Sequence, residues 1–191
     1  MTLRQRNRLA AVRQIMDTAM DLFDQHGYTE VTVEQIAAAA GVSPRTFYRY
    51  FGTKEGLFTT DPLAAVGLGL MDERIAPDDL PGSIRRIIED IHTTSTLSEG
   101  TPWRGMRYVI EEPAVRAAVY TALDDASERL ASLLRSKGAD PAQARVTARA
   151  YWFGVYFGAL EQWHLDGRTR PLAHYVQEGL SVLRNGESMR R

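Results

Sequence analysis

Apolar residues recur three and four positions apart along most of the chain and nowhere alternate one by one, which predicts helices and no strands. Leu9, Val12, Ile15, Met16, Ala19, Leu22 and Phe23 share one stripe, predicting a first helix over residues 5–26 that Gly27 ends. A second stretch, 32–40, is short and rich in alanine, and a third, 44–50, follows after a turn. A helix opens at Thr53 and meets Asp61-Pro62, where proline disfavours a helical residue before it, so a break is expected there and a new helix over 62–75. Loops rich in proline and glycine then frame helices near 83–97 and 103–110. A long helix starts at Pro113 with Val115, Val119, Ala122, Ala126, Leu130, Leu133 and Leu134 in phase, and stops at Gly138. Asp140-Pro141 opens another to about residue 166, and Pro171 opens the last, ending near 184–186.

The segment Thr32 to Leu57 holds the densest chemistry. Thr32 stands three residues before Gln35, the spacing of a reciprocal capping box. Ala37 to Ala40 allow close approach by another helix, and Gly41 suits the left-handed turn that ends one. Ser43 is a good N-cap and Pro44 fits the first helical position. Two short helices joined by such a turn make a helix-turn-helix unit, whose second helix enters the DNA major groove. Phe47 and Phe51 are four apart and point to the core, leaving Arg45, Thr46 and Arg49 on faces that can meet DNA. Arg45 lies near the helix start and can grip guanine O6 and N7 through two hydrogen bonds. Tyr48, Tyr50 and Lys54 suit phosphate contact, which sets position rather than sequence. Ser43 and Pro44 complete the candidate DNA-binding set by opening the helix. A plain surface hairpin would need none of these signals in this order.

Residues 19–23 (AMDLF), Gly27-Tyr28, Thr32-Val33, Ile36-Ala37, Gly41-Val42-Ser43, Thr46-Phe47-Tyr48, Tyr50-Phe51 and Lys54-Glu55 together resemble the tetracycline-repressor (TetR) family. The resemblance covers roughly the first 57 residues. It implies an all-helical, dimeric transcription regulator, usually a repressor released by a small ligand. It also implies DNA contact at Thr32, Arg45, Thr46, Tyr48, Tyr50 and Lys54. The family's usual fourth helix runs on into the second domain, and the Asp61-Pro62 pair departs from that pattern. The expected division is a helix-turn-helix DNA-binding domain at 1–57 and a larger helical effector-binding and dimerisation domain at 58–191.

Composition narrows the partners. The net charge is −1, so the chain is not basic overall. Yet residues 1–16 hold Arg4, Arg6, Arg8 and Arg13 and no acid. Two readings stand for that stretch: an arm along DNA, in a minor groove, or a solvated tail. With no cysteine there is no disulfide or thiolate metal site. Neither a signal peptide nor a membrane-length apolar run is evident, so the expectation is a cytoplasmic protein with no membrane partner.

The segment 150–160, AYWFGVYFGAL, carries no charge on any face, which predicts burial all round. Gly154 and Gly158 would admit a close helix, either from a second subunit or from the same chain. Tyr151, Gly154, Gly158, Leu165, Tyr175 and Leu180 are the candidate dimer contacts, and a symmetric dimer suits two DNA half-sites. Trp103, Met106, Arg107, Tyr120, Trp152, Tyr156 and Trp163 are the candidate lining of an apolar effector cavity, with ordinary core packing as the competing reading. The stretch 159–173 is similar to the C-terminal domain of mycofactocin-type regulators within the same family. That similarity implies a hydrophobic or acyl-bearing effector.

Enzymatic readings find little support. Glu161-x-x-His164 has the spacing of a carboxylate-helix metal site, but such sites use two copies. Gly67-Leu68-Gly69 lacks the preceding strand and third glycine of a nucleotide fingerprint. The expectation is therefore no catalysis, no metal and no cofactor. The remaining alternatives are a helical scaffold, a DNA-binding regulator without a ligand, and one acting as an activator, since repression and activation use the same contacts.

Overall fold

In the computed structural model, residues 2–60, 76, 78–80, 82, 83, 86 and 101–188 are described. The expected break at Asp61, the helices over 62–75 and 83–97, and the loop at 98–100 lie outside them, the few described positions at 80–86 aside. All regular structure among the described residues is helical. It forms two compact units, one of residues 2–60 and 101–119, the other of residues 120–188 with the described positions between 76 and 86.

The first unit begins with α1, Leu3–His26, which starts two residues earlier than the apolar stripe alone predicts. Its N-cap is Thr2, whose hydroxyl accepts the Gln5 N–H at 3.2 Å while Gln5 Oε1 accepts the Thr2 N–H at 2.8 Å. The arginine-rich stretch 3–16 is thus neither an arm nor a tail but the first turns of a helix. Helices α2, Val33–Ala39, and α3, Pro44–Phe51, follow, then the single turn α4, Gly56–Thr59. Leu9, Val12, Ile15, Ala19, Met20 and Phe23 of α1 are buried, as are Val33, Ile36, Ala37, Phe47, Phe51 and Leu57 of the same unit. Each large side chain so buried contributes roughly 1.5–3 kcal/mol.

Helix α5, Thr101–Glu111, lies eighty residues further along the chain yet folds with α1. The reason is an aromatic cluster: the Tyr108 ring, 2 % exposed, sits 5.5 Å from Phe23, 5.9 Å from Phe58 and 6.2 Å from Tyr28. Gly105 lies under Phe58, leaving a Cβ there only 3.2 Å from that ring. Met106 is also buried in this unit.

Helix α6, Pro113–Ser136, has its first seven residues in the first unit and the remainder in the second. The second unit continues with α7, Pro141–Arg149, capped by Asp140, whose carboxylate accepts the N–H groups of Ala142 and Gln143 at 3.0 and 3.1 Å. Residues Ala150–Phe157 then wind as a π-helix, followed by α8, Gly158–Leu165, and α9, Leu172–Ser188. The sequence reading of one continuous helix to residue 166 missed this change of winding. Trp152, Val155 and Phe157 of the π-helix are buried, whereas Gly154 is exposed, so the segment is not buried on all faces within one chain. The close helix approach occurs instead at Gly179 of α9, where a Cβ would meet the backbone of Val155 at 3.4 Å.

Candidate nucleic-acid interface

Each helix of the reading unit starts with a satisfied cap. Thr32 and Gln35 form their box, with Gln35 N–H donating to Thr32 Oγ1 at 3.2 Å and Thr32 N–H to Gln35 Oε1 at 2.8 Å. Gly41 carries the turn at φ +68°, a conformation other residues adopt only with strain, and the Val42 N–H closes back on the Ala37 carbonyl at 2.9 Å. Ser43 Oγ accepts the Thr46 N–H at 3.1 Å and lies 3.0 Å from the Thr46 hydroxyl. Pro44 occupies the first helical position. Helix α3 then stands on Phe47 and Phe51, 0 % and 6 % exposed, with their rings 5.0 Å apart.

That platform turns Arg45, Tyr48 and Arg49 to solvent, with Thr46 and Tyr50 half-buried. Arg49 lies 4.8 Å above the Tyr50 ring. Desolvation alone would raise the Tyr50 phenol, but hydrogen bonds from Arg8 and Arg49 outweigh it and hold its pKa below the usual tyrosine value. Among the described residues, Arg4, Arg8, Arg45 and Arg49 enter no ion pair. A fixed, capped helix that offers unpaired guanidinium groups to solvent is suited to a polyanion.

Lys54 has a further structural part. Its Nζ donates to the carbonyls of Tyr28 at 2.8 Å and Val31 at 3.0 Å, and lies 4.1 Å over the Tyr28 ring. Burial lowers its pKa against the opposing pull of Glu55, Glu112 and Glu30. Next to it, the Tyr28 hydroxyl donates to Glu55 Oε1 at 2.6 Å. Burial and that carboxylate together push the Tyr28 phenol far up, and the same bond outweighs desolvation to lower Glu55. Thr53 Oγ1 accepts the Gly56 N–H at 3.1 Å, and a Cβ on Gly56 would collide with the Phe51 carbonyl, so only glycine fits this turn.

Asp24 closes the opposite end of α1. It accepts from Tyr108 Oη at 2.6 Å, Arg104 Nε at 3.0 Å and Arg107 at 3.1 Å, while Arg104 also reaches Asp21 at 2.8 Å. Desolvation is outweighed by these donors, and the Asp24 carboxyl lies below its usual range. The Tyr108 phenol is pushed up to about 12 by burial and by Asp24. Sequence spacing offered no sign of this network, because its halves stand 80 to 84 residues apart.

The candidate effector residues divide. The Trp103 side chain lies outside the described residues. Arg107 is paired with Asp24 and, at 3.7 Å, Glu111. Tyr120, Trp152, Tyr156 and Trp163 belong to the second unit. Trp152 packs edge-on to Tyr156 at 5.3 Å, and Tyr120 meets Phe153 and Phe157 at 6.0 and 5.4 Å. The Trp163 indole donates to the Arg170 carbonyl at 2.9 Å, whereas the buried Trp152 indole N–H has no hydrogen-bond partner among the described residues. Of the candidate dimer residues, Tyr175 and Leu180 are already covered within one chain. Leu165 is 65 % exposed, Gly154 is open, with nothing near a Cβ placed there, and Tyr151 and Gly158 are half-exposed. Exposed Val146 and Val182 add apolar surface the sequence reading did not single out. Glu161 is exposed, and among the described residues no group of acids and histidines is placed to hold a metal ion. None of the described helices is long and apolar enough to cross a membrane.

Residues 15–59 match the family model for bacterial regulatory proteins of the tetR family, and residues 79–188 match that for the MftR C-terminal domain. A Mycobacterium tuberculosis protein named as the mycofactocin biosynthesis transcriptional regulator MftR is 28 % identical over 167 residues, covering 84 % of this chain and 83 % of its own. Among solved structures, the fold is similar to NalD, the secondary repressor of the MexAB-OprM multidrug efflux pump in Pseudomonas aeruginosa. That match has a TM-score of 0.54 at 20 % identity and covers 93 % of this chain and 95 % of that one. The complex of SmeT, repressor of a Stenotrophomonas maltophilia multidrug efflux pump, with triclosan matches at TM-score 0.55 and 20 % identity, covering 91 % of each chain.

Proposed function

The chain belongs to the tetR family of bacterial regulatory proteins, with a C-terminal half of the MftR kind, and from its geometry we propose which residues read DNA and which meet an effector. It is a DNA-binding transcriptional regulator of a family of ligand-responsive repressors, not an enzyme. The observation that carries the residue assignment is the exposed, ion-pair-free Arg45 and Arg49 on a helix seated by Phe47 and Phe51. Arg45 reads a base edge in the major groove, and Thr46 contacts a thymine methyl or a phosphate beside it. Thr32, Ser43, Pro44, Tyr48, Arg49 and Tyr50 line the backbone on either side. Lys54 braces the loop between α1 and α2 with two of its hydrogens and offers the third to a phosphate.

Two copies of the chain present two such helices to a near-palindromic operator. Open Gly154 and exposed Leu165 support a partner helix on the π-helix and α8. A hydrophobic effector that also accepts a hydrogen bond suits the aromatic group around Trp152, whose buried N–H otherwise lacks a partner. Seating such a compound releases the operator. Selection of random duplexes by the purified protein, followed by sequencing, tests the reading. A recovered near-palindrome supports it and supplies a probe for compounds that cause release. Retention of no preferred sequence, at low salt as well, would refute it.

A further inference from the structure

An open groove of about 540 Å³ lies beside the recognition helix, lined by Leu3, Arg4, Asn7, Arg8 and Ala11 of α1 and by Tyr50 of α3. Four of these α1 residues are spaced i, i+3, i+4 and i+7, so one helical face makes one wall. Leu3 and Ala11 are its apolar ends, and Arg4, Asn7 and Arg8 are its donors. Arg8 and Arg49 both bond to the Tyr50 hydroxyl, so two guanidinium groups converge on one phenol, and Arg4 lines the same groove. No carboxylate among the described residues neutralises them. Arg104 and Arg107 of the same unit, by contrast, are paired with Asp21 and Asp24.

We propose that this groove seats a phosphodiester of the operator backbone, gripped by Arg4 and Arg8, with Tyr50 holding Arg8 in place. The proposal rests on the DNA-reading assignment above. It adds a second, sequence-independent contact from α1. Planar guanidinium groups with several donors fit a phosphate's oxygens better than a single halide or a neutral ligand. The position beside Tyr50 puts the grip next to α3, where a backbone strand flanks the major groove. Nothing here resembles an arm in the minor groove, since Arg4 and Arg8 are held on a capped helix.

The test compares wild type, Arg4→Ala/Arg8→Ala, Arg6→Ala and Tyr50→Phe on the selected operator and on unrelated duplex across salt concentrations. Arg6 is exposed on the same helix but lies outside the groove, so it controls for general loss of charge. The double variant should lose about 0.9 from the slope of log affinity against log salt, and roughly eightfold affinity at 0.1 M salt, on both duplexes alike. Its selected consensus should not change, and the Arg6→Ala slope should stay at the wild-type value. Tyr50→Phe should weaken binding a few-fold with the slope retained, because no charge is removed. An unchanged slope in the double variant, or an equal loss in Arg6→Ala, overturns the groove while leaving DNA reading intact. Absence of salt-dependent duplex binding by wild type overturns both. Inorganic phosphate at constant ionic strength, followed by NMR at Arg8 and Tyr50 without DNA, separates the two phosphate sources. Micromolar occupancy would assign the groove to a small anion and contradict the proposal.

Discussion

The two ends of α1 carry similar chemistry and treat it in opposite ways. At its start, Arg4 and Arg8 stand beside Tyr50 with no acid among the described residues to pair them. At its end, Asp21 and Asp24 hold Arg104 and Arg107 in ion pairs, and Tyr108 hydrogen-bonds the same carboxylate. Arginine as a residue type therefore says little about ligands. What separates a binding cation from a structural one is whether the fold already supplies its anion. The open end of α1 shares a groove with Tyr50 of the recognition helix, where the proposal seats a phosphate; the closed end ties α5 to α1.

The closed end breaks most completely at Phe23. That ring is 1 % exposed and meets Tyr28, Phe58 and Tyr108, so Phe23→Ala should cost about 3–5 kcal/mol. Calorimetry should show the first unit melting earlier. An unchanged melting profile would mean that the aromatic cluster does not join α5 to α1.

Lys54 sharpens the contrast because it combines both behaviours. Lys54→Ala removes two hydrogen bonds to loop carbonyls, a loss of about 1–2 kcal/mol. If its third hydrogen meets a phosphate, the salt slope of operator binding falls by about 0.9 as well. That double loss is the expected result in urea unfolding and salt titration. Reduced stability with an unchanged slope would confine Lys54 to the loop.

Asp24→Asn probes the closed end more gently. The carboxylate is 36 % exposed and therefore screened, so the cost at neutral pH should be about 1 kcal/mol. Because folding lowers the Asp24 pKa from 3.8, its contribution is complete above about pH 4 and is lost as pH falls through the folded value. Stability curves of wild type and variant should converge on acidification. Parallel curves would contradict the network, and the operator consensus should be the same in both.

The same comparison explains what could be read from the sequence. The caps at Thr32 and Ser43, the turn at Gly41 and the Phe47/Phe51 platform are local, and their spacing alone predicted where α2 and α3 form. The Thr2–Gln5 box obeys the spacing of the Thr32–Gln35 box, so the true start of α1 was legible and was passed over in favour of the apolar stripe. The Asp24–Arg104 network was not legible, since contacts across eighty residues leave no periodic trace. Gly154 and Gly158 suggest close helix approach, and helical spacing cannot distinguish π from α winding in an all-apolar run. The candidate effector residues pose the reverse problem: Met106 and Trp152 look alike in pattern, and only folding places Met106 in the unit built on α1.

The most direct test is to select random duplexes with wild type and with Arg45→Ala in parallel. The predicted result is a near-palindrome for wild type and, for the variant, the same site with preference relaxed at one position in each half, a loss of roughly 1–3 kcal/mol. An identical consensus from both proteins would contradict the assignment of Arg45 as the base reader.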